Sequence, residues 1–262
     1  MKFIHTADWH LGKLFYGEYL TEEQEWLLKN QFLPLVDEEK PDVILLAGDV
    51  YDRSVPPAEA VELFDEMISE ITGKRKIPFI VISGNHDSAE RLSFASRILR
   101  GTGLFLCGDL YHTLAPVILK DDDGEVAFAP LPYAEPGKVR EALSTDVHTH
   151  EEAERALSDF LLRQMGHAAR KVAIAHEFVA GAASFNRGNG SYQRGCICAV
   201  QLYGTGTSPR AAESRGEGKC PLQRKSFEIF FQRSYPEKRS HCRRNRRSRA
   251  GENRIHFSFS PS

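Results

Sequence analysis

Val43-Ile44-Leu45-Leu46-Ala47-Gly48-Asp49 is the stretch that decides the fold. Five apolar residues without polar alternation read as a strand buried on both faces, the kind found in parallel sheets covered by helices. A glycine and a carboxylate follow at once, so the strand ends in a turn that carries a charged side chain. The arrangement recurs along the chain. Residues 2–6, with Phe3 and Ile4, lead to Asp8-Trp9-His10, residues 79–82 lead to Gly84-Asn85-His86-Asp87, and residues 172–175 are followed by His176. Helical patterns lie between the strands. Thr21-Glu22-Glu23-Gln24 has the spacing of a capping box, and Trp26, Leu27, Phe32, Leu33 and Val36 recur at near-helical intervals, which predicts a helix over 22–38. Pro41-Asp42 breaks it. A second helix is predicted over 57–71, with Pro57 at its start, and a third over 150–166. Residues 117–120 and 125–129 flank Asp123-Gly124, a hairpin signal.

Strands alternating with helices predict an α/β layered fold, and four strands that each end in a candidate ligand predict one site at their carboxyl ends. Asp8 and His10, two apart in extended chain, are expected to point to the same side. Gly48 and Gly84 are expected to turn the backbone sharply and leave room for a phosphate. Carboxylate, imidazole and amide oxygen are the donors that hold two divalent metals close together, which points to metal-assisted phosphoester cleavage.

The chain has 262 residues and is 41% hydrophobic, enough for a large core. The sequence contains no apolar run of membrane-spanning length, and MKFIHTADWH lacks the basic start and long apolar run of a signal peptide, so a soluble cytoplasmic protein is expected. The net charge of −2 hides a step. Residues 184–262 hold 13 Arg and 3 Lys against 5 Glu and no Asp, whereas 1–183 are acidic. Cys196, Cys198, Cys220 and Cys242 also fall in the basic part. Two regions are therefore expected, 1–183 and 184–262, with a boundary near residue 183.

The motifs Asp-x-His, Gly-Asp-x-x-Asp-Arg and Gly-Asn-His-Asp, in this order, resemble those of the calcineurin-like metallophosphoesterases. The fuller stretches FIHTADWHLGK, LLAGDVYDR and VISGNHDS resemble the SbcD nuclease subunits of that superfamily, relatives of the meiotic-recombination repair nucleases. The resemblance runs from residue 1 to about 183, and Trp9, Leu11-Gly12 and Tyr51-Asp52-Arg53 separate it from phosphatases of the same fold. It implies a sandwich with helices around two sheets, here incomplete on the C-terminal side. It also implies a ligand set: Asp8 and His10 on a first metal, Asp49 bridging, Asn85 and His176 on a second, and His86 as the catalytic histidine. Asp52, Arg53 and Asp87 would orient these ligands. The implied cofactor is a pair of divalent ions, with Mn²⁺ suited to mixed carboxylate and imidazole donors. The implied activity is 3′-5′ double-strand exonuclease and hairpin or single-strand endonuclease action in DNA recombination and repair. The implied partners are DNA and an SbcC-type ATPase subunit, with a homodimer inside a heterotetramer. Lys13, Tyr16 and Arg91 could touch DNA phosphates. His5 is expected to pack inside the first strand.

The resembled family also carries a Gly-His-x-His motif that gives one histidine to each metal. No such motif follows His176, and the later histidines, His241 and His256, have neither its spacing nor its context. Back-translated with permitted codons and moved one base forward, residues 202–209 can give Gly-His-Leu-His, and further family-like text follows in the same shifted frame. The expectation is a frameshift near codons 183–186, a disordered out-of-frame segment over 184–262, and impaired activity of this polypeptide. A genuine basic tail that binds nucleic acid through Arg243-Arg244-Asn245-Arg246-Arg247-Ser248-Arg249 is the alternative, and a zinc site on the four clustered cysteines is weaker still. For the function, a phosphatase or cyclic-nucleotide phosphodiesterase of the same superfamily, or a non-catalytic nucleic-acid-binding protein, are the alternatives.

Overall fold

The computed structural model describes residues 1–177 and the backbone of 197–204, 227–233 and 253–257. Strand β1 (Lys2–Thr6) is followed by a small hairpin, β2 (Leu14–Phe15) and β3 (Glu18–Tyr19). Helix α1 (Thr21–Leu27) passes through a π-helical turn at Leu28–Phe32 into α2 (Leu33–Glu39). Then come β4 (Val43–Ala47), α3 (Ala58–Ile68) with a π-helical turn at Ser69–Lys74, and β5 (Phe79–Ile82). Short helices α4 (Ala89–Leu92) and α5 (Ser96–Leu99) precede β6 (Leu104–Cys107). The hairpin β7 (Val117–Asp121) and β8 (Gly124–Leu131), helices α6 (Pro136–Leu143) and α7 (His150–Gln164), and β9 (Arg170–Glu177) follow. The last strands are β10 (Ile197–Gly204), β11 (Phe227–Arg233) and β12 (Asn253–Phe257).

These elements form an α/β fold of two facing sheets. The first runs β12-β11-β1-β4-β5-β6, with β1, β4, β5 and β6 parallel and β11 antiparallel to β1. The second runs β10-β9-β8-β7, with β8 and β9 parallel and both outer pairs antiparallel. Strand β4 shows why an unbroken apolar run is needed. Ile44 and Leu46 pack with Phe32, Val36, Leu63 and Phe64 of the helical layer, whereas Val43, Leu45 and Ala47 pack with Val126, Phe128, Val172 and Ile174 of the second sheet. The far face of the second sheet, with Ala127, Ala129 and Ala173, is covered by Val139 of α6 and Leu157 and Leu161 of α7. Within 184–262, expected from the sequence to lack packed order, three stretches carry strand backbone. The remainder lies outside the described residues.

Two helical details differ from the sequence reading. Trp26 is exposed and Leu28 is in the core, because the inward face of this helix runs through Gln24, Leu27 and Leu28 at i, i+3 and i+4 and leaves Trp26 outside. Thr21 makes no side-chain cap; the capping box is at α7, where Thr149 Oγ1 accepts from the Glu152 N–H and Glu152 accepts from the Thr149 N–H. Among the described residues no helix is long and apolar enough to cross a membrane.

His5 packs inside the sheet, as its place in β1 suggests, and burial depresses its pKa to about 4. The unfolded chain therefore binds the proton more readily between pH 6.5 and 4, so this contribution is complete above pH 6.5 and is lost as pH falls towards 4. His10 shifts in the same direction, also to about 4. In metal-free protein, urea unfolding at pH 7.5 and 5.0 should show this loss, and His5→Gln should make it smaller. An unchanged pH slope in the variant would show that His5 does not carry it.

Candidate metal centre

The carboxyl ends of β1, β4, β5 and β9 bring the candidate ligands to one place. One backbone ladder and two carboxylates set the arrangement. Asp8 N–H donates to Gly48 O (3.1 Å), His10 N–H to Asp49 O (2.9 Å) and Leu11 N–H to Val50 O (2.9 Å), so the first loop is laced to the second. His86 N–H donates to Asp49 Oδ1 (2.9 Å), tying in the third. Asp87, facing inward, accepts from the N–H groups of Val50 (3.1 Å), Tyr51 (2.9 Å) and Gly84 (2.9 Å). Burial pushes the Asp87 carboxyl up to about 6, the neighbouring Asp49 charge adds to this, and the three N–H donors oppose it.

The chain at 8–10 is not extended. Asp8, His10 and Asp49 all have left-handed backbones, at φ 54°, 44° and 49°. Their side chains are aimed by these turns and not by strand alternation, which corrects the expectation from their spacing. Such conformations cost a residue with a Cβ about 1–2 kcal/mol each and persist where surrounding structure enforces them. Gly48 turns the chain as expected, and both Gly48 and Gly84 make room for ligands. A Cβ on Gly48, where φ is 78°, would overlap the His176 ring, and a Cβ on Gly84 would overlap the side chain and backbone of Asp49. The space a Cβ would fill goes to the ligands themselves.

His176 is fully buried and shows why a cation belongs here. Its Nδ1–H donates to Ala47 O (2.8 Å), which fixes the proton on that nitrogen. Nε2 then presents a lone pair 3.3 Å from Asn85 Oδ1 and 3.4 Å from Asp49 Oδ2. Three acceptors facing one another need a proton or a metal between them, and a histidine held by a carbonyl through its other nitrogen is the usual form of a metal ligand. His10 Nε2 lies 3.6 Å from Asp49 Oδ2 and 3.7 Å from Asp8 Oδ1, and burial keeps its ring neutral. Asp49 itself is pushed up by burial, but His176 when protonated, the His86 N–H and His10 when protonated outweigh this and hold its carboxyl below the usual range.

Two donor groups result, His10 with Asp49 and His86, and Asp8 with Asp49 and His176, the ligand atoms of each lying within 4.8 Å of one another. Asp49 is common to both, as a bridging ligand must be. The pattern of the calcineurin-like phosphoesterases matches residues 1–189. The chain belongs to that family. Calcineurin-like phosphoesterases hold two divalent metals and hydrolyse phosphoester bonds, and the donor groups described above fit such a pair.

The remaining site residues fall as follows. His86 is exposed, its Nδ1–H donating to Asp52 O (2.8 Å), so Nε2 is the nitrogen offered to the site. Asp52 Oδ1 lies 3.5 Å from both His10 Nδ1 and Lys13 Nζ, beside the ring it is expected to orient. Arg53 does not join them: it is exposed and makes no hydrogen bond or ion pair to the cluster, its charge being solvated on the turn. Gln24 is the residue that the sequence pattern conceals. Read as half of a capping box, it is instead buried against the 9–12 loop of this calcineurin-like centre.

Gly84→Ala should displace Asp49, weakening divalent-metal binding at least about tenfold and costing about 1–3 kcal/mol of stability. Calorimetric metal titration and thermal melting check this. Wild-type affinity in the variant would mean that Asp49 does not depend on the close approach of residue 84.

Proposed function

We propose that this calcineurin-like phosphoesterase is a DNA nuclease of the SbcD type, cleaving phosphodiester bonds at DNA ends and hairpins in recombination and repair. The observation that carries the reading is the lacing of Leu11 to Val50 and Asp52 beside Asp49, within the set Trp9, Leu11-Gly12 and Tyr51-Asp52-Arg53 in which the chain resembles SbcD and departs from phosphatases of the same fold. Trp9 is buried among Phe32, Phe64 and Phe79, with its Nε1–H on Thr6 Oγ1 (2.9 Å), and Leu11 pairs with Tyr51. These residues anchor the ligand loops from beneath.

By the resemblance, Asp8 and His10 with Asp49 shared would hold one ion and Asn85 and His176 the other, whereas the side chains as they stand group His10 with His86 and Asp8 with His176 about Asp49; Mn²⁺ suits this donor set. Bound metals supply a hydroxide at neutral pH and a clamp on both reacting oxygens. His86, with Nδ1 committed to Asp52 O, presents Nε2 to the scissile phosphate, and from there the imidazolium can hand a proton to the leaving sugar oxygen. Asp87 holds the backbone of 50, 51 and 84 still while this happens. Lys13, beside Asp52, is within reach of a DNA phosphate. An SbcC-type ATPase as partner, a homodimer within a heterotetramer, and a cytoplasmic location belong to the same proposal.

The chain lacks Gly-His-x-His, so the second metal should bind weakly and cleavage should be slow. The proposed reason is a shift of reading frame near codons 183–186, and resequencing codons 175–205 tests it directly: an unbroken frame there ends that idea. Purified protein with Mn²⁺ should cleave linear duplex DNA much more slowly than a relative that retains the motif, and Asp49→Ala should abolish what remains. Hydrolysis of a chromogenic phosphodiester with no action on DNA would favour a phosphatase or cyclic-nucleotide phosphodiesterase. DNA cleavage at the relative's rate would refute the predicted impairment.

A further inference from the structure

We propose that Gln24 is a positioning residue that sets the metal-binding conformation of the 8–12 loop. The inference rests on Asp8 and His10 being metal ligands. Both lie in left-handed backbone, and Gly12, at φ 75°, completes the turn with no space for a Cβ against Pro57 and Ala60. The N–H groups of 8, 10 and 11 are already committed to Gly48, Asp49 and Val50. The opposite edge of the loop, formed by the carbonyls of Trp9 and His10 and the N–H of Gly12, faces α1. The Gln24 side chain meets all three. Its Nε2 donates to Trp9 O (3.1 Å) and His10 O (2.9 Å), and its Oε1 accepts from Gly12 N–H (3.0 Å).

A primary amide is the side chain suited to this edge, because it offers two donors and an acceptor in one plane. Gln24 is buried, so the loop groups it leaves behind would find no water in its place. It touches neither ligand side chain. Its action is on the backbone that aims Asp8 and His10, and therefore on metal affinity.

The test is calorimetric titration of Mn²⁺ into metal-free protein, with Gln24→Glu as the decisive variant. Glutamate keeps the shape and the acceptor for Gly12 but loses the donors to Trp9 and His10. It also adds negative charge near a cation site, which by attraction alone would tighten binding. Positioning predicts the opposite sign, a weakening of about 10- to 100-fold. Gln24→Met, uncharged and of similar length, should weaken binding to the same extent and serves if the glutamate variant does not fold. Leu161→Ala, a core truncation in α7 away from the loop, should lower the unfolding midpoint and leave affinity within about twofold.

Unchanged or tighter Mn²⁺ binding in a folded Gln24 variant overturns the inference. A loss in Leu161→Ala as large as in the Gln24 variants overturns it too, since general destabilisation would then account for both. Wild-type protein that takes up no Mn²⁺ overturns the ligand assignment, and the inference with it.

Discussion

The crowding of lone pairs around the Asp49 carboxylate is the constraint on which the site depends. Asp8 and Asp49 bring two carboxylates into one group of ligand atoms no more than 4.8 Å apart. Two like charges at that distance repel by about 3 kcal/mol at an effective dielectric of about 20. His176 adds a lone pair whose direction is fixed by Ala47, and Asn85 adds an oxygen. A cation between these lone pairs would draw them together. The chain itself holds the groups together through backbone. Rungs from 8, 10 and 11 to 48, 49 and 50 and the triple acceptance by Asp87 fix three loops that otherwise have reason to separate.

The same constraint explains why the strands around the site are buried on both faces. Left-handed backbone at Asp8, His10 and Asp49 and glycines pressed against ligands are all unfavourable locally. They persist because each loop springs from a strand that packs against helices on one side and a second sheet on the other. Stability is concentrated in the layers and used at their carboxyl edge. This is also why truncating a core residue far from the metals and changing a residue against the loop should have different signatures: the first lowers stability, the second lowers affinity.

Much of this was legible in the sequence because doubly buried strands leave an unambiguous trace. Val43–Ala47 and Phe79–Ile82 coincide with the predicted strands, and the helix expected over 22–38 is present as α1 and α2 with the turn between them. The site was legible as a place, since each strand points its end at the same edge. Its internal geometry was not. Whether Asp8 and His10 lie on extended or left-handed chain is decided by hydrogen bonds to residues forty positions away. The space at Gly84 is taken by Asp49, a contact of similar separation. Gln24 was misread because a helix-capping pattern and a buried loop clamp are written with the same residues. Strand β6, four residues between Gly103 and Gly108, and helix α6, which opens on Pro136-Gly137, carry turn signals that outweigh their apolar content.

The charge step near residue 183 bears on how the site would be completed. Asp8, His10, Asp49, Asn85 and His176 would offer five side chains to two ions, with Asp49 serving both. Five- or six-coordinate ions would leave about four to six positions to water or to further donors. Each additional imidazole supplied from a rigid strand would add affinity at little cost in order, since strand backbone is already fixed. Strand β10 runs antiparallel to β9 with Cys198 opposite His176, so sequence beyond β9 returns along the strand that carries a ligand. Donors placed just past such a return would lie near the carboxyl edge only if the chain there folds back over it. Further donors for a two-metal site of this kind would come from strands beyond β9, and a change of reading frame between β9 and β10 would remove such donors while leaving the earlier layers and their strained loops intact.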